Sequence, residues 1–157
     1  MKIERLTRDN FVPFGDVVDR SSVEPIAINQ TFAQRFNDLA FIDVDSEGGS
    51  VNISLVDAMP RPRPIAITMM ERHPLGSQIF YPLDDKPWLI VVCADPHDLA
   101  TFRTFIATGQ QGVNYARDVW HHPLLVLQPQ RFFVVDRSGP GVNLEEVNLK
   151  APFHLPE

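Results

Sequence analysis

Apolar and polar residues of this chain alternate over short stretches, without the long 3.6-residue periodicity of an amphipathic helix. Residues 50–56 show the alternation most clearly, which is the pattern of a half-buried β-strand. Turn-forming stretches rich in Pro, Gly, Asp and Ser separate the apolar segments from one another. The further segments that read as strands are 65–70, 79–81, 88–94, 120–127 and 131–136.

Helical signals are few and short. Thr7 is a suitable N-cap for a single helical turn over residues 8–11. Asp98 favours another turn at residues 99–102, but residues 101–106 also fit a strand, so both structures remain open there.

Fourteen prolines are spread along the chain and interrupt any long helix. Many short strands separated by turns are typical of antiparallel sandwiches and barrels. No internal repeat or shift in composition marks a second domain. The sequence therefore predicts one all-β domain over residues 1–157, with one or two short helices.

Composition and charge exclude several classes of protein. The net charge of −6 and the pI near 5.3 disfavour nucleic acid as the main partner. The longest apolar run, residues 88–94, is too short to cross a bilayer. Charged residues occupy the N-terminal segment where a signal peptide needs apolar ones, and the single cysteine, Cys93, excludes an intrachain disulfide. A cytoplasmic location is the resulting expectation.

Two segments concentrate side chains capable of chemistry. The first spans residues 71–78, where Glu71 and His73 point the same way if the chain is extended. Gln78 follows across a turn favoured by Pro74 and Gly76, and the next strand brings it back beside them.

The second segment spans residues 112–123 and contains His121 and His122, which face opposite sides of an extended chain. His121 is the better candidate for an inward position, while His122, beside Pro123, has a structural role. One later histidine together with the 71–78 segment makes a nitrogen and oxygen donor set for a first-row metal ion. By spacing alone, a hydrogen-bonded polar network is an equally good interpretation.

The same two segments, 71–78 and 112–124, resemble the signature blocks of the ureidoglycolate lyase family, which belongs to the cupin superfamily. The resemblance covers nearly the whole chain in order. It extends to Phe14-Gly15-Asp16-Val17, Arg35-Phe36, Asp38-Leu39-Ala40, Asp136-Arg137 and Gly139. The chain departs from the family pattern at Val56-Asp57, at Gln30-Thr31 and at Ala116, where the family often has histidine.

This resemblance implies a cupin-like double-stranded β-helix barrel that forms a homodimer. It implies a carbon–nitrogen lyase that splits ureidoglycolate into glyoxylate and urea during allantoin degradation in purine breakdown. The four cupin metal positions fall on Glu71, His73, Gln78 and His121, which are also the expected catalytic residues. A divalent first-row ion such as Ni, Mn or Zn would occupy such a set.

Residues that bind the substrate are expected near this set. The substrate carboxylate needs a cation, and Arg35 and Arg72 are the candidates, ahead of Arg117. In a straight strand Arg72 alternates away from Glu71 and then serves the outer face or a dimer contact. We expect hydrogen bonds to the ureido group from two further residues, Asn114 and Tyr115, although turn formation is an equally good role for Asn114.

Two other functions remain open at this point. The same residues suit a cupin that hydrolyses ureido or amide compounds and releases ammonia, because an activated water could replace the substrate hydroxyl. A non-catalytic barrel that binds a small molecule is the alternative from another class, since one fold serves many functions.

Overall fold

The computed structural model describes residues 2–21 and 23–156, so Met1, Ser22 and Glu157 lie outside the described part of the chain. Its strands are β1 (Ile3–Arg5), β2 (Gly15–Val18), β3 (Ile26–Ile28), β4 (Ala33–Arg35), β5 (Ser50–Ala58), β6 (Ala66–Arg72), β7 (Gln78–Pro82), β8 (Trp88–Cys93), β9 (Arg103–Ala107), β10 (Gly112–Tyr115), β11 (Trp120–His121), β12 (Leu125–Val126), β13 (Gln130–Ser138) and β14 (Glu145–His154). One α-helix, α1 (Arg8–Phe11), and 3-10 turns at Val12–Phe14, Ser46–Gly48 and Leu99–Thr101 complete the secondary structure of the described residues. No helix in this part of the chain has the length and apolar character needed to span a membrane.

Two larger sheets contain most of the strands. The seven-stranded sheet has the order β1-β9-β8-β11-β6-β14, and β12 pairs with β8 alongside β11. The five-stranded sheet has the order β2-β10-β7-β13-β5, while β3 and β4 form a separate hairpin. The pairing of β1 with β9 is parallel, and the other pairings of the described strands are antiparallel.

An aromatic core fills the space between the two larger sheets. Trp88 from the seven-stranded sheet meets Phe132 from the five-stranded sheet edge to face, with ring centroids 5.1 Å apart. Phe11 of α1 lies against Phe105 and Tyr115, so the short helix closes one side of this core. The sheets therefore face each other as in a cupin-like barrel, although among the described residues their hydrogen-bonded ladders do not join into a closed cylinder.

Strand β8 is buried on both faces, which explains its uninterrupted apolar sequence. Trp88, Ile90 and Val92 point into the core between the sheets. Leu89, Val91 and Cys93 point the other way. They pack in a second apolar cluster on the outer face of the seven-stranded sheet, with Ile65, Ile67, Met70, Phe102, Leu125, Leu149 and Leu155.

The structure confirms the all-β prediction and most of the predicted strands. Thr7 caps α1 as expected, and Asn10 completes a reciprocal capping box. Residues 99–106, for which the sequence left a helical turn and a strand open, contain both: a 3-10 turn at Leu99–Thr101 is followed by β9. The predicted strand over residues 120–127 is divided into β11 and β12, because Pro123 interrupts the ladder.

Cys93 provides a test of this packing. Burial raises the pKa of its thiol to about 12, so the group stays protonated through the neutral range. We expect iodoacetamide to modify native Cys93 roughly 100-fold more slowly than the unfolded chain, because the thiolate is the reacting species. Mass spectrometry of samples quenched at intervals measures both rates, and fast modification of the native protein would contradict a buried position.

Candidate active site

Three residues on or next to the seven-stranded sheet form a compact group of possible metal ligands. Glu71 is on β6, His73 directly follows that strand, and His121 is on β11. The pairing of β11 with β6 sets His121 directly opposite Glu71. The ligand atoms of the three residues all lie within 4.8 Å of one another, close enough to share one metal ion. We refer to Glu71, His73 and His121 as the three-residue cluster.

Backbone carbonyls hold both imidazole rings in a defined orientation. His73 Nδ1 donates a hydrogen bond to the Asn143 carbonyl oxygen at 2.7 Å, and His121 Nδ1 donates one to the Val119 carbonyl oxygen at 2.9 Å. A carbonyl oxygen only accepts, so the neutral rings carry their protons on Nδ1. Each Nε2 then presents a free lone pair, and both Nε2 atoms are buried without a hydrogen-bond partner among the described residues.

Tyr115 supports the cluster from the opposite sheet. Its ring stacks on His121 with a centroid separation of 4.1 Å and an interplanar angle of 10°. Burial raises the pKa of the Tyr115 hydroxyl, and the negative charge of Glu71 raises it further. The phenol therefore remains protonated at neutral pH and is available as a hydrogen-bond donor.

The Glu71 carboxylate is ionised in this environment. Burial raises its pKa, but the contact with His121 and the charge of the neighbouring histidines in their protonated form lower it more, so the net pKa is lowered. Its Oε1 lies 3.6 Å from His121 Nε2, which is too long for a hydrogen bond. The two groups face each other without satisfying each other's hydrogen-bonding capacity.

Gln78 lies on the five-stranded sheet, on the same face as Tyr115, its cross-strand partner. Its Nε2 donates a long hydrogen bond of 3.5 Å to Asp136 Oδ2. Its Oε1 is buried and has no hydrogen-bond partner in the described part of the chain. The amide oxygen is therefore the end of the side chain that is free to bind something else.

These donors suit a divalent first-row ion. Two imidazole nitrogens, a carboxylate and an amide oxygen form a nitrogen and oxygen set without thiolate. Leaving polar atoms buried and unsatisfied costs free energy, so the two unpartnered Nε2 atoms in the three-residue cluster indicate a missing partner. The unpartnered Gln78 Oε1 belongs to the cross-strand partner of Tyr115, whose ring stacks on His121. Because His73 and His121 also have their second nitrogen bonded to carbonyls, they meet the usual requirement for metal-binding histidines.

Two residues near Gln78 were not identified from the sequence pattern. Asp136 on β13 faces inward, because it follows the core residues Phe132 and Val134 at the strand spacing of two. Asn52 on β5 is its cross-strand partner and donates a hydrogen bond to Asp136 Oδ1 at 2.8 Å. The signal available in the sequence was the inward alternation of the predicted strand 131–136, combined with a charged residue at its end.

Arg72 does not join the cluster. The alternation of β6 turns it to the outer face, where it forms ion pairs with Glu145 at 2.6 Å and Asp118 at 3.2 Å. Its guanidinium also lies over the Trp120 ring, 4.6 Å from the centroid. The predicted substrate contact from Arg72 is therefore replaced by a structural role, because neighbouring residues of a strand point to opposite faces.

Asn114 is likewise turned away from the three-residue cluster. On β10 it alternates with Tyr115, and its amide donates to Asp16 Oδ2 at 3.0 Å and to the Phe41 carbonyl at 2.8 Å. These hydrogen bonds connect the segment around Phe41 to the outer face of the five-stranded sheet. The predicted contact with the ureido group does not fit this placement.

The polar contacts of the other two arginine candidates, among the described residues, do not involve the three-residue cluster. Arg35 is exposed on the β3–β4 hairpin, and no hydrogen bond or ion pair among the described residues connects it with the cluster. Arg117 lies 3.4 Å from the Asp43 carboxylate, next to Ala116 in the turn before β11. Asp57, another departure from the family pattern, is exposed on β5 and points away from the core.

His122 has the structural placement expected for it. Its Nδ1 donates to the Pro123 carbonyl at 2.7 Å, and the side chain is buried. Burial lowers the pKa of the imidazole to about 4, so the ring is neutral at physiological pH. His122 contributes no ligand atom to the three-residue cluster.

Known proteins similar to this chain agree on one family. The model of the ureidoglycolate lyase family matches residues 1–156. A ureidoglycolate lyase from Burkholderia mallei (strain NCTC 10229) is 50% identical over 151 residues, which cover 95% of this chain and 89% of that protein. Ureidoglycolate lyase 1 from Rhizobium meliloti (strain 1021) is 49% identical, over 100% of this chain and 94% of that protein.

Solved structures give a more distant similarity. An oxalate decarboxylase from Bacillus subtilis aligns with a TM-score of 0.37 and 17% identity, over 72% of this chain and 29% of that chain. An overlap of this extent has no bearing on the chemistry of the site. The match over residues 1–156 and the identities near 50% do bear on it, and they show that this chain belongs to the ureidoglycolate lyase family.

Proposed function

We propose that this protein is a carbon–nitrogen lyase that cleaves ureidoglycolate into glyoxylate and urea in allantoin degradation. Membership of the family supports the reaction, and the three-residue cluster supports the place where it occurs. The main support for this location is that His73 and His121 have buried, unpartnered Nε2 atoms next to the Glu71 carboxylate. The free thiol of Cys93 suits the reducing cytoplasm, where we expect the enzyme to act.

The reaction moves one proton and breaks one bond. The carbinol hydroxyl loses its proton, its oxygen forms the aldehyde double bond of glyoxylate, and the carbon–nitrogen bond breaks. The departing urea nitrogen takes up a proton, so the proton lost by the hydroxyl balances the one gained. The site must therefore accept a proton, stabilise the developing negative oxygen and return the proton on the nitrogen side.

A divalent ion is the first candidate for the stabilising group. Glu71, His73, Gln78 and His121 would hold it, and Ni, Mn or Zn suit this donor set. When bound, such an ion supplies positive charge that lowers the pKa of the substrate hydroxyl and stabilises the developing negative oxygen. Gln78 joins the three-residue cluster in this set because its amide oxygen is buried without a partner and its cross-strand neighbour Tyr115 stacks on His121.

The histidines offer a second route to the same reaction. Without an ion, His73 or His121 would take the hydroxyl proton on its free Nε2 lone pair. The backbone carbonyl on Nδ1 stabilises the imidazolium that forms, and Glu71 provides the opposite charge. Both routes use the same unpartnered Nε2 atoms. They differ in whether the reaction requires a bound metal ion.

Tyr115 is the best placed of the predicted substrate-binding residues. Its protonated hydroxyl lies in the field of Glu71, on the inner face of the five-stranded sheet. We propose that it donates a hydrogen bond to the ureido carbonyl. Arg35 remains our candidate for the substrate carboxylate, and binding it would require the β3–β4 hairpin to approach the cluster.

The lyase assignment predicts equal amounts of two products. Purified protein with freshly prepared ureidoglycolate should release glyoxylate and urea in a one-to-one ratio without ammonia. His73→Ala should lower kcat by roughly 100-fold or more, because it removes a ligand or base of the reaction. His97→Ala, in an exposed loop, is the matched control and should keep full activity.

Other product patterns would identify the alternatives. Ammonia and carbon dioxide in place of urea would mean that the site hydrolyses its substrate. Tight binding of ureidoglycolate without turnover would indicate a binding protein. Equal activity of His73→Ala and the wild type would contradict the placement of the site.

Metal removal separates the two routes. We expect dialysis against a chelator to abolish activity, and one of Ni²⁺, Mn²⁺ or Zn²⁺ to restore it. Elemental analysis should find less bound metal in Glu71→Gln and His121→Ala than in the wild type, since each substitution removes a ligand. Full activity of the metal-free enzyme would instead assign the base to His73 or His121.

We also propose that the protein is a homodimer formed through β5. This strand lies at the edge of the five-stranded sheet, so one side of its backbone is available for pairing. Val51, Ile53 and Leu55 share its outward face and are 51%, 62% and 71% exposed. A two-fold axis would pair β5 antiparallel with β5 of a second copy and bring the two apolar rows side by side, which would reduce the exposure of both in an isologous interface.

A charged residue in this row should separate the subunits. Light scattering should give a mass of twice the chain for the wild type and of one chain for Ile53→Asp, because a carboxylate would be buried without a partner. Val12→Asp, at a 70% exposed apolar residue elsewhere, is the matched control and should remain dimeric. A dimeric Ile53→Asp variant, or a monomeric wild type, would contradict this interface.

A further inference from the structure

Gln78, Asp136 and Asn52 form a chain of hydrogen bonds across three neighbouring strands of the five-stranded sheet. Asn52 Nδ2 donates to Asp136 Oδ1 at 2.8 Å, and Gln78 Nε2 donates to Asp136 Oδ2 at 3.5 Å. Each carboxylate oxygen therefore accepts from one amide. The three side chains lie on the inner face, the same face as the Tyr115 ring that stacks on His121.

We propose that Asp136 is a positioning residue that determines which end of the Gln78 amide faces the three-residue cluster. The inference rests on the proposed function in one respect, the role of Gln78 as the fourth ligand. Among the described residues, the hydrogen bonds of the Asp136 side chain are with Asn52 and Gln78, so Asp136 would act on the cluster through Gln78.

The direction of the amide follows from hydrogen-bond chemistry. A primary amide has a donor end and an acceptor end of nearly the same size, and packing alone distinguishes them poorly. An ionised carboxylate only accepts, so Asp136 takes the NH₂ end of Gln78. The oxygen end is then turned away from Asp136, and it is this Oε1 that is buried without a partner.

The pairing also explains why the fourth position holds an amide. A glutamate at residue 78 would bring two carboxylates within about the present 3.5 Å, where like charges disfavour ionisation of both. An amide beside a carboxylate avoids this repulsion and keeps one negative charge on the pair. Exchanging the two groups would preserve both the charge and the hydrogen bond.

Co²⁺ binding measures the effect independently of catalysis. Asp136→Asn should lower the Co²⁺ affinity roughly 10-fold, the range usual for residues that orient a ligand. The reason is that a neutral amide accepts less strongly and also offers its own NH₂, so that Gln78 is free to turn. Titration followed by the visible absorption of Co²⁺, with a competing chelator, gives the affinity and reports the ligand geometry.

A double-mutant cycle tests whether Asp136 acts through Gln78. Gln78→Ala should lower the Co²⁺ affinity, and adding Asp136→Asn to it should change the affinity less than twofold, because the group being oriented is gone. If Asp136→Asn lowered the Co²⁺ affinity by the same factor with and without Gln78, the proposal would be overturned.

A double variant that exchanges the amide and the carboxylate of residues 78 and 136 should restore Co²⁺ binding. In the double variant Gln78→Glu/Asp136→Asn, the amide introduced at position 136 can donate to the carboxylate introduced at position 78, while its oxygen still accepts from Asn52. We expect this variant to bind Co²⁺ at least as tightly as the wild type and to recover the absorption spectrum that Asp136→Asn alone loses. Failure of the exchange to recover affinity would contradict the orienting role of Asp136.

Two controls make the outcomes distinguishable. Asp57→Asn removes the same charge from an exposed, outward position on β5 and should leave the affinity unchanged. Thermal unfolding of the metal-free variants identifies any that fail to fold, and in that case Asp136→Glu, which keeps the carboxylate, must retain binding within about threefold. No effect of Gln78→Ala would refute Gln78 as a ligand, whereas an effect of Gln78→Ala without one of Asp136→Asn would refute the present inference alone.

Discussion

The pairing of His121 with Glu71 is the contact on which the arrangement of the site depends. It joins β11, a strand of two residues, to β6, and it fixes the face on which both side chains lie. A shift of β11 by one residue would place His122 instead of His121 on the face where Glu71 lies. The stacking of Tyr115 on His121 then connects this sheet to the opposite one, so the site spans the core.

Alternation along strands accounts for what the sequence predicted well and for where it was wrong. It predicts that Glu71 and His73 lie on one face and that only one of His121 and His122 points inward, and the structure places Glu71, His73 and His121 together. The same rule predicts an outward Arg72 in a straight strand, which the structure shows, and it also turns Asn114 outward beside the inward Tyr115. Those two were selected for their chemical suitability, and chemical type alone does not specify the face on which a side chain lies.

Several features of the structure are not indicated by the local sequence pattern. Strand β14 contains Lys150 and Pro152 and pairs with β6 through a register shift, so neither alternation nor an apolar run indicates it. The acceptors for His73 and His121 are backbone carbonyls, which no residue type reveals. Asp136 approaches Gln78 only because β13 pairs with β7, a contact between residues 58 positions apart.

The main-chain acceptors at residues 119 and 143 have a consequence for how this site changes during evolution. A side chain that orients a histidine is lost in one substitution, but a carbonyl survives every substitution that leaves the backbone path intact. The orientation of His121 therefore does not depend on the side chain of Val119, which packs against the core, but on the length of the turn that carries its carbonyl. Insertions and deletions between β10 and β11, or between β13 and β14, would be selected against more strongly than point changes at the same positions.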